Sequence, residues 1–260
     1  MRKFALTHCI LFTFVAALPA IAGPRTFVSG LGNDANPGTR EQPKRTFASA
    51  LAVVDPGGQI VALDSAGYAS STLVINKSVS IIVPPGVAGF ITVSGAASGI
   101  TINAAVTDVV SIRGLIIETS SAANGTGIHS SSVGTLTVED CAIRKFNRGI
   151  SFNQPNASHL QVHGGSVRHN TTGIYLQPAA AVTVDAIVTG CLLENNGTAL
   201  HASAPGGFAV AMMRVSDCTI TNNNNGVTIS GPTSGVISRG NNTLENNGSG
   251  NSFPGTFSPK

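Results

Sequence analysis

The sequence predicts an all-β chain wound as a parallel β-helix, a single-domain solenoid closed at its N-terminal end by a short helix. Three observations lead there. The first is composition: only 10% of the 260 residues are charged and 42% are hydrophobic, which excludes a disordered chain. Twelve Asp and Glu residues are too few for a coiled coil or helical bundle, whereas 30 Gly and 20 Asn suit many short strands joined by tight turns.

The second observation is self-similarity at a spacing of 22 to 27 residues: Ile112–Ile117, Val138–Ile143, Val162–Val167, Val188–Leu193, Val215–Ile220 and Ile237–Leu244. Each begins an apolar–x–x–small–x–apolar frame or a near variant of it. A polar turn follows, then Gly-Ile or its equivalent at Gly127, Gly149, Gly173, Ala199 and Gly226, then a short alternating strand. A unit this short cannot bury its own apolar face, so units must stack and share one core. It has no helix and is too short for a four-stranded blade. A parallel coil advancing by about 4.8 Å per turn fits.

The third is a column of Asn in the turn after the first strand: Asn170, Asn196, Asn223 and Asn247. Asn tolerates the left-handed backbone that tight turns use, and its amide can bond to the coils above and below.

The elements follow in order. Arg2 and Lys3, an apolar run Phe4–Leu18 and Ala20-Ile21-Ala22 read as a signal peptide, residues 1–22, cut after Ala22. The apolar run falls short of the ~20 residues that span a bilayer. The chain is therefore expected to be secreted or periplasmic, with no membrane insertion. Losing Arg2 and Lys3 takes the formal charge from +3 to +1, which leaves no general electrostatic case for nucleic acid. Thr26–Ser29 starts the mature domain, residues 23–248, and Gly32–Gly38 is a turn-rich loop. Thr46–Val54 has helical apolar spacing, ends at Asp55-Pro-Gly-Gly58 and would cover the open end of the solenoid. Gln59–Leu63, Leu73–Ile75, Val79–Val83 and Phe90–Val93 form the first coils, and residues 249–260 are expected to be a flexible tail.

Cys141, Cys191 and Cys218 share a column with Leu115, Gly165 and Gly240, which selects small inward groups. No metal-binding spacing is present. Cys191 and Cys218 are on neighbouring coils, within disulfide reach at about 4.8 Å, but parallel side chains are poor disulfide geometry.

Phe27-Val-Ser-Gly-Leu-Gly-Asn-Asp-Ala-Asn-Pro-Gly-Thr-Arg-Glu-Gln-Pro-Lys-Arg-Thr-Phe47, followed by Asp55-Pro-Gly-Gly-Gln-Ile60 and the x-Asn-Asn-x-x-Gly-Ile coils, resembles the exported right-handed parallel β-helix proteins of the pectin-lyase-like superfamily. The resemblance implies a right-handed solenoid and leaves activity open, because the superfamily includes lyases, hydrolases, epimerases, tail proteins and adhesins. Its galacturonase-like hydrolases carry paired acids just before the Gly-Ile strand. The matching positions here are Asn147-Arg148, Thr171-Thr172, Gly197-Thr198 and Asn224-Asn225, without an acid. Its pectate lyases gather acids around Ca²⁺, the one cofactor that the lyase reading would require. Glu118, Glu139, Asp140, Asp185, Glu194 and Asp217 are too dispersed along the coils for the six to eight oxygens calcium takes. The Asp-Pro-His-Asp-type signature of the uronate epimerases is absent too.

Two stripes are candidate sites. The outer column of the strand after Gly-Ile reads His129, Ser151, Tyr175, His201 and Thr228, with Arg148 at the preceding turn. Superfamily substrate clefts often run along that sheet. Tyr175 would stack on a sugar ring beside His201 and Arg148; the competing reading is a solvated strand face. The second stripe holds Glu118, Arg144, Arg168 and Glu194, with Lys145 and His169 beside it. Arg144 and Arg168 would grip a carboxylate or sulfate, or else pair across coils with the neighbouring acids. Three functions fit: binding of extracellular or cell-wall polysaccharide without catalysis, a lyase or glycosidase with an unusual site, and a structural or adhesive solenoid.

Overall fold

The computed structural model describes residues 24–121 and 125–258; the expected signal peptide and the Asn124 turn lie outside these. The chain winds through three parallel sheets in fixed rotation. Sheet 1 has ten strands, from Arg25–Val28 to Gly255–Thr256. Sheet 2 has eight, from Ala66–Ala69 to Thr243–Glu245, and sheet 3 has seven, from Leu73–Ile75 to Asn225–Ser230. Each strand pairs with the strand one coil away; apart from the first pair, Arg25–Val28 with Gln59–Ala62, none pairs with the strand next to it in sequence.

Alternation makes the strands and aligns them. Ile100, Ile128, Ile150, Ile174 and Leu200 stand in one register row of sheet 3, all fully buried. Val110, Leu136, Leu160 and Ala186 do the same in sheet 1. Each Val, Leu or Ile side chain among them contributes about 1.5–3 kcal/mol by leaving water, but only because the next coil completes its surroundings.

The expected capping helix runs Phe47–Val53, with Phe47, Ala50 and Leu51 buried against the first coils. Thr46 caps its N-terminus by accepting from the Ser49 N–H at 3.2 Å. Asp34 fixes that cap, accepting from the N–H groups of Arg45 (2.8 Å) and Thr46 (2.9 Å) and from the Ser49 hydroxyl. The Asn-Asp-Ala-Asn turn of the sequence is thus a clamp on the helix start.

The Asn column forms a buried ladder. The side-chain oxygens of Asn170, Asn196, Asn223 and Asn247 accept from the backbone N–H of Phe146, Asn170, Asn196 and Asn223 at 2.9–3.0 Å. Their amide groups donate to carbonyls of the same and the previous coil. The left-handed backbone falls one residue earlier than expected: His169, Asn195, Asn222 and Asn246 have φ of 54–57°. The exposed residue takes the left-handed turn, which frees the next Asn to point inward and bond.

At the C-terminal end the solenoid passes its expected limit at residue 248. Asn251 receives the Asn247 N–H at 3.2 Å, and Gly255–Thr256 pairs with Ile237 and Ser238 of sheet 1. The ladder needs a last acceptor and the core needs cover, which the partly buried Phe253 supplies. Among the described residues no helix is long and apolar enough to cross a membrane.

Cys141, Cys191 and Cys218 are buried free thiols, with the Cys191 N–H directed at the Cys218 sulfur at 3.4 Å. Burial pushes the Cys141 thiol up to about 12, and contact with Cys218 together with burial raises that of Cys191. The same contact lowers that of Cys218, but all three thiols are buried, so none is expected to react with Ellman's reagent in the folded protein and all should react in concentrated guanidinium. Rapid labelling of the folded protein would contradict this packing.

Candidate functional site

The outer face of sheet 3 takes its form from the Gly that opens each strand. A Cβ at Gly149 would lie 2.6 Å from Val167 and 2.7 Å from the Gly173 carbonyl; at Gly173 it would lie 2.6 Å from the Ala199 carbonyl. This close approach lets the following Ile turn inward and sets the next residue on the outer column. That column runs His129, Ser151, Tyr175, His201, Thr228 in unbroken register, as the sequence spacing predicts.

The side chains on it are gathered rather than splayed. The Arg148 guanidinium carbon lies 3.9 Å from the centre of the Tyr175 ring. The His201 ring meets Tyr175 edge-on, centroids 5.0 Å apart at 77°, and His201 Nε2 is 3.0 Å from the Ser230 hydroxyl. Tyr175 keeps only 7% of its surface exposed. The ring expected to carry a sugar is therefore a support for Arg148, held by a cation–π contact. Ser151, between His129 and Tyr175 on the column, is buried, and its hydroxyl has no hydrogen-bond partner among the described residues.

The electrostatics are one-sided. None of the seven strands of sheet 3 contains an Asp or Glu. Among the ion pairs of the described residues none involves Arg148. Burial, and then the charge of Arg148, holds His129 and His201 below the ordinary imidazole value. At neutral pH the face therefore presents one fixed positive charge and two neutral imidazoles.

The second stripe does not join this cluster. Arg144 and Arg168 are register neighbours in sheet 2, but each is taken by an acid of an adjoining coil. Arg144 Nε is 2.8 Å from Glu118, and Arg168 is 3.5 Å from Glu194. Opposite charges one coil apart find each other before any ligand does, so the ion-pair reading describes this stripe. Lys145 and His169 occupy left-handed turn positions at φ 70° and 56°.

Sequence reasoning passed over a further group on sheet 1. His159 Nδ1 lies 2.5 Å from Asp185 Oδ1, with Arg214 3.7 Å from the other carboxylate oxygen. The signal was available, since His159 and Asp185 are 26 residues apart, one repeat, in the same outer column. Among the described residues no three His, Cys, Asp or Glu side chains gather as a metal site would need.

A family model described as a right handed beta helix region matches residues 89–248, more than half of the chain. The chain belongs to the right-handed β-helix family. The solenoid is accordingly right-handed, and its resemblance to the pectin-lyase-like proteins holds for the fold. Among solved structures, this β-helix protein is similar to pectate lyase Pel9A, with a TM-score of 0.52 and 15% identity over 90% of this chain and 78% of that one. It is also similar to the GH136 lacto-N-biosidase from Eubacterium ramulus, with a TM-score of 0.51 and 12% identity over 85% of this chain and 56% of that one. At such identities the likeness is one of fold. No curated protein sequence matches the chain.

Proposed function

We propose that this protein is an exported polysaccharide-binding β-helix that holds glycan against the outer face of sheet 3, with Arg148 as its main contact. One observation carries the reading: an arginine without an acid partner among the described residues is seated on a buried tyrosine, on a sheet without a carboxylate. Glycoside hydrolysis by a carboxyl pair has no residues to use on this face. A guanidinium with its rotamer already fixed by stacking has little ordering left to lose when a ligand binds. The fold shared with carbohydrate-active enzymes supports a glycan as the ligand class.

Arg148→Ala is expected to weaken glycan retention in affinity electrophoresis by at least about tenfold, equivalent to ~1.4 kcal/mol. Arg168→Ala, on sheet 2 and already paired with Glu194, should leave retention as it was. Equal retention for Arg148→Ala and the parent on every retained glycan would remove sheet 3 as the binding face.

A second reading, a uronate lyase, draws on the neutral imidazoles of His129 and His201 near Arg148. An imidazole can accept a proton while an arginine neutralises the adjoining carboxylate. It predicts a rise in ultraviolet absorbance from unsaturated ends on uronate polymers, and flat traces across several polymers would reject it.

A further inference from the structure

A run of side-chain contacts crosses the outer face of sheet 3 and ends on Arg148. Its members come one from each of four successive strands: Arg148 from Arg148–Gln154, Tyr175 from Thr172–Pro178, His201 from Thr198–Ser203 and Ser230 from Asn225–Ser230. The Ser230 hydroxyl is 3.0 Å from His201 Nε2. The His201 ring is set against Tyr175 at 5.0 Å and 77°, and the Arg148 guanidinium carbon lies 3.9 Å over the Tyr175 ring.

The path is diagonal. Tyr175 and His201 are register partners, whereas Arg148 opens its strand ahead of Ser151, the partner of Tyr175, and Ser230 lies beyond Thr228, the partner of His201. Three strand spacings of about 4.8 Å separate the two ends. Ser230 therefore acts on Arg148 only through the residues between them.

Each link removes a freedom from the next. A tyrosine on a strand has several staggered χ1 wells to choose from, and χ2 of a histidine is broad. With His201 against it and Arg148 over its face, Tyr175 keeps only 7% of its surface exposed. The imidazole plane is set in turn by the bond to Ser230. Arg148 has no acid partner among the described residues, so the Tyr175 ring is the contact that orients it.

We infer that His201 and Ser230 are positioning residues, which fix the Tyr175 ring and through it hold the Arg148 guanidinium in one orientation from two and three coils away. The inference rests on the glycan-binding reading only for its effect on binding. It adds to that reading the residues that set the geometry of the contact.

The test reads the Arg148 Nε–H signal of the folded protein by nuclear magnetic resonance, assigned by its absence in Arg148→Lys. Over a ring face that proton is shifted upfield by the ring current. His201→Ala and Ser230→Ala should each move it toward the position of an unstacked arginine. Ser230→Thr, which keeps the hydroxyl, should hold it where it is, and so should His159→Gln on sheet 1. Retention on whichever glycan the parent binds should weaken in the two alanine variants by about two- to fivefold, the size of one exposed cation–π contact. Ser230 stands partly exposed on the last strand of sheet 3, so the Ser230 variants decide the matter even if His201→Ala fails to fold. An unmoved Arg148 signal in His201→Ala overturns the inference, and one unmoved in Ser230→Ala alone overturns the role of Ser230. Weaker retention with an unmoved signal also overturns it, because the residues then touch the glycan instead of positioning Arg148. A signal that moves while retention stays equal on every glycan leaves the positioning standing and overturns the binding reading.

Discussion

Asn196→Ala is expected to lower the unfolding free energy by about 1.5–4.5 kcal/mol, from ~1–3 for a buried backbone N–H left without a partner and ~0.5–1.5 for the lost hydrogen bond to a buried carbonyl. The Asn196 amide donates to the Val167 carbonyl at 2.9 Å and to Asn223 Oδ1 at 3.0 Å. Its oxygen accepts from the backbone and side-chain N–H groups of Asn170 at 3.0 and 3.1 Å. Asn223 Oδ1 keeps the Asn196 N–H after truncation, and the Asn170 side chain keeps its two carbonyls. The Asn170 N–H has no such second partner, whereas the Val167 carbonyl stays within the paired strand Ser166–Arg168. Neighbouring Asn195, exposed and at φ 54°, provides the contrast. Asn195→Ala should cost about 1–2 kcal/mol, the penalty for an ordinary residue in left-handed backbone. Urea unfolding monitored by far-ultraviolet circular dichroism measures both. A larger loss for Asn195→Ala than for Asn196→Ala would contradict the ladder as the stabilising feature.

Gly165→Cys should destabilise by about 2–5 kcal/mol, from ~1–2 for left-handed backbone and ~1–3 for overpacking. The repeat alignment suggests the reverse, because Cys141, Cys191 and Cys218 fill the same column and cysteine there looks tolerated. At Gly165, however, φ is +71°, and a Cβ would stand 2.2 Å from the Cys141 carbonyl oxygen and 2.7 Å from the Cys141 nitrogen. Those atoms are backbone and cannot swing away. At about 2–4 °C of melting temperature per kcal/mol for a chain of this size, the loss is several degrees by calorimetry. An unchanged melting temperature would show that the double-glycine turn Gly164-Gly165 relaxes to the geometry of the other coils.

How far the residues alone reach differs from feature to feature. The rows Ile128–Ile150–Ile174 and His129–Ser151–Tyr175–His201 were legible because a parallel coil repeats its register each turn. Equal spacing in sequence then becomes adjacency in space. The left-handed position was displaced by one because a run such as Asn195-Asn196 does not say which Asn takes the turn and which the ladder. Burial decides it, since only the inward residue has backbone groups to satisfy.

The site divides along the same line. Sequence placed Arg148, Tyr175, His129 and His201 on one face, and also placed Arg144 and Arg168 on another. It did not show that the Tyr175 ring is covered by Arg148 at 3.9 Å, or that Arg144 and Arg168 are spent on Glu118 and Glu194. Column membership fixes where a Cα stands. Whether a charged side chain faces solvent, an acid or a ring depends on rotamers chosen against the neighbouring coil.

The amino-acid sequence by itself determined the solenoid, its capping helix, the stacking of its coils and the lack of carboxylates on sheet 3, since each follows from periodicity and residue type. Tertiary structure decided which residue of each turn is left-handed, that the last described strand lies beyond residue 248, that Gly165 has no room for a side chain, and that Arg148 stands without an acid partner among the described residues. Those outcomes rest on contacts between coils some 24 to 27 residues apart, where sub-ångström packing and the pairing of individual charges select among arrangements that the repeat pattern permits equally.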